Sequence, residues 1–350
     1  MRVLSVVGTR PQFVKLGPVD GALSASGIDH VIVHTGQHHH EWLSDAFYRE
    51  LGLPAPDDHL AVGSGSHGAQ TARMLEACER SVQEHRPDVV VNYGDTNSTL
   101  AGTLAAAKLR IPTVHVEAGV RSFDRSMPEE INRLAVDHVS TSCLAPTQTA
   151  MDNLAAEGLG DRATLVGDVM IDVLLRTHAT VTDADVAAEV DPEAGYVLAT
   201  LHRPENTDHP ERLASIIDAL ASFDTPVLFP AHPRVLDQAE RHRVRLDRGS
   251  VIVVAPLSYR SLIATLAHAR AVITDSGGLQ KEAHVLGVPC TTVRGSTEWP
   301  ETLVGGSNVL CPDPGTLGDV AFRDVAVTPP PAVPEAAPLV VRAIRDLVES

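Results

Sequence analysis

Four cysteines in 350 residues, Cys78, Cys143, Cys290 and Cys311, lie far apart with no CxxC pair. That spacing excludes a disulfide framework and a structural zinc, and it predicts reduced thiols that fill the core. No apolar run approaches the roughly eighteen residues of a membrane span. The start, MRVLSVVGTR, passes from strand to glycine loop without a small-residue cleavage site, so a cytoplasmic chain with no membrane partner is expected. Lysine is nearly missing: of 28 basic residues only Lys15, Lys108 and Lys281 are lysine. Positive charge is short as a whole, and the formal net charge of −17 argues against a nucleic-acid partner, whose phosphates would be repelled. The acidic, lysine-poor composition has two readings: a surface suited to high internal salt, where screening removes self-repulsion, or GC-rich codon usage.

What is present is α/β patterning, over a length that allows two domains. Arg2 to Val7 reads as a strand, Gly8-Thr9-Arg10-Pro11 as a turn, and Gln12 to Leu23 as a helix. Helix N-termini bind phosphate through free N–H groups, and Arg10 adds a planar charged fork in that loop. A second strand covers His30 to His34. The His38-His39-His40 run that follows does not suit a metal, because consecutive residues of an extended chain alternate sides. Pro87 to Thr96 predicts a buried strand ending in Gly94-Asp95, Ser98 to Leu109 an alanine-rich helix, and Ile111 to Val116 another strand with Glu117 at its end. In an open parallel sheet ligands bind beyond the carboxyl ends of the strands, so Asp95 and Glu117 stand at the address of chemistry.

The pattern restarts near Thr164 to Leu175. Strands are expected at Gly195 to Leu201, Val227 to Phe229, Val251 to Val254, Ala271 to Thr274 and Pro289 to Val293, separated by helical segments. Two βα series without an antiparallel run predict an N-terminal domain over 1–165 and a second over 166–330. After a proline-rich connector, 331–350 carries a helix with one apolar face at 340, 341, 344, 347 and 348. In the second series Asp275-Ser276-Gly277-Gly278 leads a strand into a helix. The small residues there let an anion approach backbone N–H groups, although such glycines can also serve packing alone. Glu282, one turn on, is placed to accept from a ribose diol, and the combination favours a nucleotide diphosphate.

In order, GTRP, TGQH, GDT, HVEAG, PEEINR, HRPEN, DSGGLQKEA and STEWPE resemble the non-hydrolysing UDP-N-acetylglucosamine 2-epimerases over nearly the whole chain. The resemblance implies a GT-B fold, two Rossmann-like parallel-sheet domains with the substrate cleft between them and the C-terminal segment crossing back to the first. It also implies a homodimer that needs no cofactor and no metal. It implies anti elimination of UDP across C1 and C2 to 2-acetamidoglucal, followed by re-addition to give UDP-N-acetylmannosamine. Asp95, Glu117, Glu129 and His202 match the catalytic positions. Arg10, His202, Ser276, Gly277 and Gly278 match the diphosphate contacts and Glu282 the ribose ligand, while Lys15 and Arg133 match basic residues among the carboxylates and sugar; Thr297 and Glu298 are expected to touch substrate from the loop after the last strand. Pro204 stands where allosterically activated members carry a second arginine, which argues against such activation. A hydrolysing 2-epimerase shares the fold, but the motifs favour the reversible enzyme; a GT-B glycosyltransferase would leave the three carboxylates without a task, and a silent UDP-sugar binding protein would have shed some of them.

If the acidic surface is built for salt, the unfolding midpoint rises from low to molar KCl; a flat response in thermal melts assigns the composition to codon usage.

Overall fold

The structure, a computed structural model, describes residues 1–37, 53–322 and 335–349. It falls into two compact units, Met1–Val173 with Val333–Ser350, and Leu174–Ala332. Among the described residues of the first unit are β1 (Arg2–Val7), β2 (Asp29–His34), β3 (Asp58–His59), β4 (Val89–Tyr93), β5 (Thr113–Val116), β6 (Ser142–Ala145) and β7 (Ala163–Leu165). They form one sheet in the order β3-β2-β1-β4-β5-β6-β7, and every pairing is parallel. Because alternate residues of a strand face opposite sides, Val3 and Val7 enter one apolar cluster and Leu4 and Val6 another. A sheet buried on both faces this way reads as a continuous β-branched run, as RVLSVV does.

The second unit repeats the scheme with β8 (Val197–Thr200), β9 (Val227–Pro230), β10 (Val251–Val254), β11 (Ala271–Thr274), β12 (Cys290–Thr292) and β13 (Asn308–Leu310). Their order is β10-β9-β8-β11-β12-β13, again all parallel. Two Rossmann-like parallel-sheet units are the GT-B class expected from the sequence. Strand order reverses at β1/β4 in the first unit and at β8/β11 in the second, and loops beyond such switch points form ligand crevices. Strands β6, β7 and β13 were not anticipated. SCLA, ATL and NVL are too short to carry a pattern of their own, and neighbouring strands recruit them.

All four cysteines are buried thiols outside any disulfide, and burial pushes the thiols of Cys78 and Cys143 up to about 12, which leaves those two inert. No described helix is long and apolar enough to cross a membrane. The His38-His39-His40 run and most of the proline-rich segment lie outside the described residues.

The helix Ala336–Glu349 buries Val340, Val341 and Ile344 in the same cluster as Phe13, Leu16 and Leu23 of the helix Arg10–Ala25. Its first N–H groups lack helical acceptors, as at every helix start. The carboxylate of Asp172 supplies them, at 3.0 Å to Ala336 N and 2.8 Å to Ala337 N, across more than 160 residues of chain. Asp172 thus acts as a tertiary N-cap, charged in the sense the helix dipole favours. Asp172→Ala is expected to lower the stability of the first unit by about 1–2 kcal/mol, read from the midpoint and slope of a urea melt.

Candidate functional site

In the first unit the site residues gather at the carboxyl ends of β1, β4 and β5. Gln12 ties two of these ends together. Its Oε1 accepts from the N–H of Gly8 and Thr9, and its Nε2 donates to Tyr93 O and Thr99 Oγ1. Arg10 is exposed at the start of its helix. Lys15, on the same helix but buried, pairs with Glu117 at 2.6 Å. Gly94 must be glycine: its φ is +64°, and a Cβ would meet Lys15 Nζ at 3.0 Å and Glu117 Oε1 at 3.6 Å.

Glu117 has a φ of +74°, a left-handed backbone that non-glycine residues rarely adopt and that costs about 1–3 kcal/mol. The turn persists because Leu144 O accepts from both Glu117 N and Ala118 N, and Asp137 accepts from Gly119 N at 3.0 Å. Gly119 also has positive φ, and a Cβ there would collide with Ala150 O at 2.3 Å. The chain is therefore bent so that a half-buried carboxylate leaves the strand end beside a lysine.

Asp95 pairs with Arg133 (Nη2 to Oδ2, 2.5 Å), whose Nη1 donates to Glu130 at 2.9 Å. Glu129, half-buried at the start of the helix Pro128–Val139, makes no hydrogen bond or ion pair among the described residues. Asp95, Glu117, Lys15 and Arg133 thus form two ion pairs on adjoining loops, with Glu129 near Arg133 in sequence and outside both. Arg121 binds Asp137 and Glu157, both at 2.7 Å.

One further arrangement has the form of a hydrolase triad: Asp20 and Ser5 flank the His30 ring at 2.7 and 2.8 Å. Ser5 is fully buried in β1 and shares its hydroxyl with Tyr93 at 3.0 Å, so no substrate reaches it. The triad is a core network.

In the second unit the loops after β8 and β11 meet over one buried carboxylate. Asp275 accepts from His202 Nδ1 at 2.9 Å, from the backbone N–H groups of His202 and Arg203, and from Asn206 Nδ2. Burial opposes its ionisation, but the His202 ring, with Asn206 and Arg203 N behind it, holds the carboxyl below the usual range. With Nδ1 donating inward, His202 presents Nε2 outward, and its side chain is 38% exposed. Ser276 caps the helix Gly277–Leu286 by accepting from Leu279 N, and the N–H groups of Gly277 and Gly278 point out of the helix start. Glu282, one turn in, receives the Tyr259 hydroxyl at 3.0 Å. Thr297 donates to Gln280 at 2.7 Å. Glu298 is clamped by both arms of Arg294, at 2.8 and 2.9 Å, with Arg203 3.5 Å away.

Comparison with known proteins identifies the family. The family model described as UDP-N-acetylglucosamine 2-epimerase matches residues 22–317. The chain belongs to that family. Among curated relatives, a UDP-N-acetylglucosamine 2-epimerase of Methanocaldococcus jannaschii is 41% identical over 325 residues, covering 89% of each chain. A Pseudomonas aeruginosa relative named UDP-2,3-diacetamido-2,3-dideoxy-D-glucuronate 2-epimerase is 45% identical over 317 residues, covering 89% of this chain and 88% of its own. The crystal structure of the M. jannaschii UDP-GlcNAc 2-epimerase in complex with UDP-GlcNAc and UDP superposes with a TM-score of 0.90 at 36% identity, covering 99% of this chain and all of that one.

Against the epimerase-family motifs, three contributors escaped the sequence reading. Gln12 reads only as the start of the first helix and Asp275 as the lead-in to a glycine turn, and no motif singles out Asp137. The usable signal was the charge itself: Asp137 and Asp275 each follow or sit within an apolar stretch where an unpaired carboxylate would be costly, so each required a partner. The Asp275 arrangement fixes the tautomer of His202. In ¹⁵N NMR the neutral ring should be predominantly Nδ1-protonated, and Asp275→Asn should return it to mostly the Nε2 form; an unchanged ratio would count against the orienting bond.

Proposed function

We propose that the chain interconverts UDP-N-acetylglucosamine and UDP-N-acetylmannosamine by eliminating UDP across C1 and C2 and adding it back to the other face. The observation that carries this reading is the Lys15–Glu117 pair on a strained left-handed turn beside the Asp95–Arg133 pair. The C2 proton is not acidic, so its removal calls for fixed carboxylates acting as base and acid, and backbone strain held at a carboxylate is a mark of such a site. Asp95, Glu117 and Glu129 are assigned the proton exchanges, and Glu129, with no partner among the described residues, is the one free to change protonation without breaking an ion pair. Lys15 and Arg133 hold the other two in place and face the sugar.

The departing diphosphate is assigned to Arg10, to His202 through Nε2, and to the N–H groups of Gly277 and Gly278 with Ser276, where a helix start and fixed donors stabilise developing charge. Glu282 is assigned the ribose hydroxyls and Thr297 a neighbouring contact. Because both oxygens of Glu298 are engaged by Arg294, its proposed part is to hold Arg294 and Arg203 toward the nucleotide. No redox cofactor enters this scheme, and a homodimer is the proposed assembly.

The identity to the P. aeruginosa relative supports a second reading, in which the preferred substrate carries an additional 3-acetamido group and a C6 carboxylate. Rates with the two UDP-sugars, compared as kcat/KM, decide between them.

In D₂O, NMR should find deuterium at C2 of both UDP-sugar epimers. Free N-acetylmannosamine would instead establish hydrolysis, and no incorporation would refute epimerisation. Glu117→Gln should slow C2 exchange by roughly 10²–10⁴-fold while the Kd for UDP, by calorimetry, changes less than about threefold.

A further inference from the structure

Glu130 is 1% exposed, one position from Glu129, and has no direct part in the proton transfers assigned above. Its carboxylate nevertheless takes four hydrogen bonds. Oε2 accepts from Ser122 N at 2.9 Å, Ser122 Oγ at 3.0 Å and Arg133 Nη1 at 2.9 Å, and Oε1 accepts from Phe123 N at 3.0 Å. Burial of the charge is opposed by these donors, which hold the carboxyl below the usual range.

Three of those bonds end on one loop, at Ser122 and Phe123. Phe123 has a φ of +59° and its side chain is 75% exposed, so neither glycine freedom nor packing of the phenyl ring explains why the backbone stays there. The Glu130 carboxylate on Phe123 N and Ser122 N does. This loop leads from Glu117 into the helix that carries Glu129. A further bond ends on Arg133, whose other arm reaches Asp95 at 2.5 Å. A guanidinium is planar, so fixing one arm fixes the direction of the other, which a lysine could not do.

We propose that Glu130 is a positioning residue for the reaction: through Arg133 it sets where Asp95 points, and through Ser122 and Phe123 it sets the path of the loop between Glu117 and Glu129. Glu130 meets no substrate atom in this role. The assignment rests on the epimerase reading given above.

The test is steady-state epimerisation by Glu130→Gln, which keeps volume and one acceptor but turns an N–H₂ toward Arg133. kcat should fall about 10–100-fold, with KM for the UDP-sugar and Kd for UDP within about threefold of the unsubstituted enzyme. In an Arg133→Lys background, where the fork is already lost, the same substitution should cost clearly less than on the unsubstituted enzyme, the remainder being the part carried by Ser122 and Phe123. Unchanged kcat in folded Glu130→Gln, a KM that rises in step with the loss of kcat, or the full loss repeated on Arg133→Lys each overturns the proposal. Should Glu130→Gln fail to fold by circular dichroism, Glu130→Asp, which keeps the charge and withdraws it by one methylene, carries the same expectations and the same refutations. If the unsubstituted protein exchanges no deuterium at C2, the epimerase reading falls and the positioning role falls with it; if it does exchange and the Glu130 variants match it, only the positioning role falls.

Discussion

A parallel sheet ends abruptly: where the ladder stops, backbone groups of the following loops have no built-in partners, and those loops are where this protein keeps its charged residues. In the first unit the completely buried carboxylate of Asp137 resolves this. It binds His115 Nδ1 at 2.5 Å, Arg121 Nη2 at 2.7 Å and Gly119 N at 3.0 Å, while His115 Nε2 donates to Gly94 O at 2.7 Å. Burial works against the charge, yet the His115 ring and the Arg121 guanidinium outweigh it and keep the carboxyl below the usual range. One anion thereby fastens the loop after β4 and the turn after β5 to the same helix. Removing any partner would strand a buried charge, and that outcome, rather than net attraction, makes such a cluster hard to alter.

The second unit solves the same problem with the same parts. Asp275, also fully buried, binds a histidine ring and the backbone N–H groups of the loop after β8. The two histidines differ in what remains free. His115 is buried and both of its nitrogens are engaged, so it can only hold structure. His202 is part-exposed and keeps Nε2 available, so the identical brace becomes a way of aiming a donor.

The strands and the strand-end carboxylates were legible because they are local. RVLSVV, VVVNY and AVIT are β-branched runs, and Gly-Asp or Glu-Ala-Gly directly after such a run has one topological address. The braces were not legible, because their partners are set by the fold: Asp275 meets a loop 73 residues earlier, Gln12 meets Tyr93, and Asp172 meets Ala336. Glu130 sits three residues before Arg133, a spacing that suits their ion pair on one helix face. Its hold on Phe123 could not be seen, since nothing in Ser-Phe-Asp announces a left-handed backbone at an aromatic residue.

One of these braces also bears on the anion site proposed for so acidic a chain. With a net charge of −17, the long-range field repels a nucleotide diphosphate. Attraction must come from short range, and in the second unit the groups proposed for it are short-range ones: an aimed His202 and the N–H groups of a helix start at Gly277 and Gly278. Such dipoles act over a few ångströms and need no net charge, but they need exact placement, because a hydrogen bond weakens steeply with angle. For His202 the buried Asp275 provides that placement. The protein thus spends one buried negative charge on aiming a proposed anion contact and two more, Asp137 and Glu130, on fixing the loops around Glu117 and Asp95, and pairing with a cation or N–H donors keeps that charge from adding much to the repulsive field.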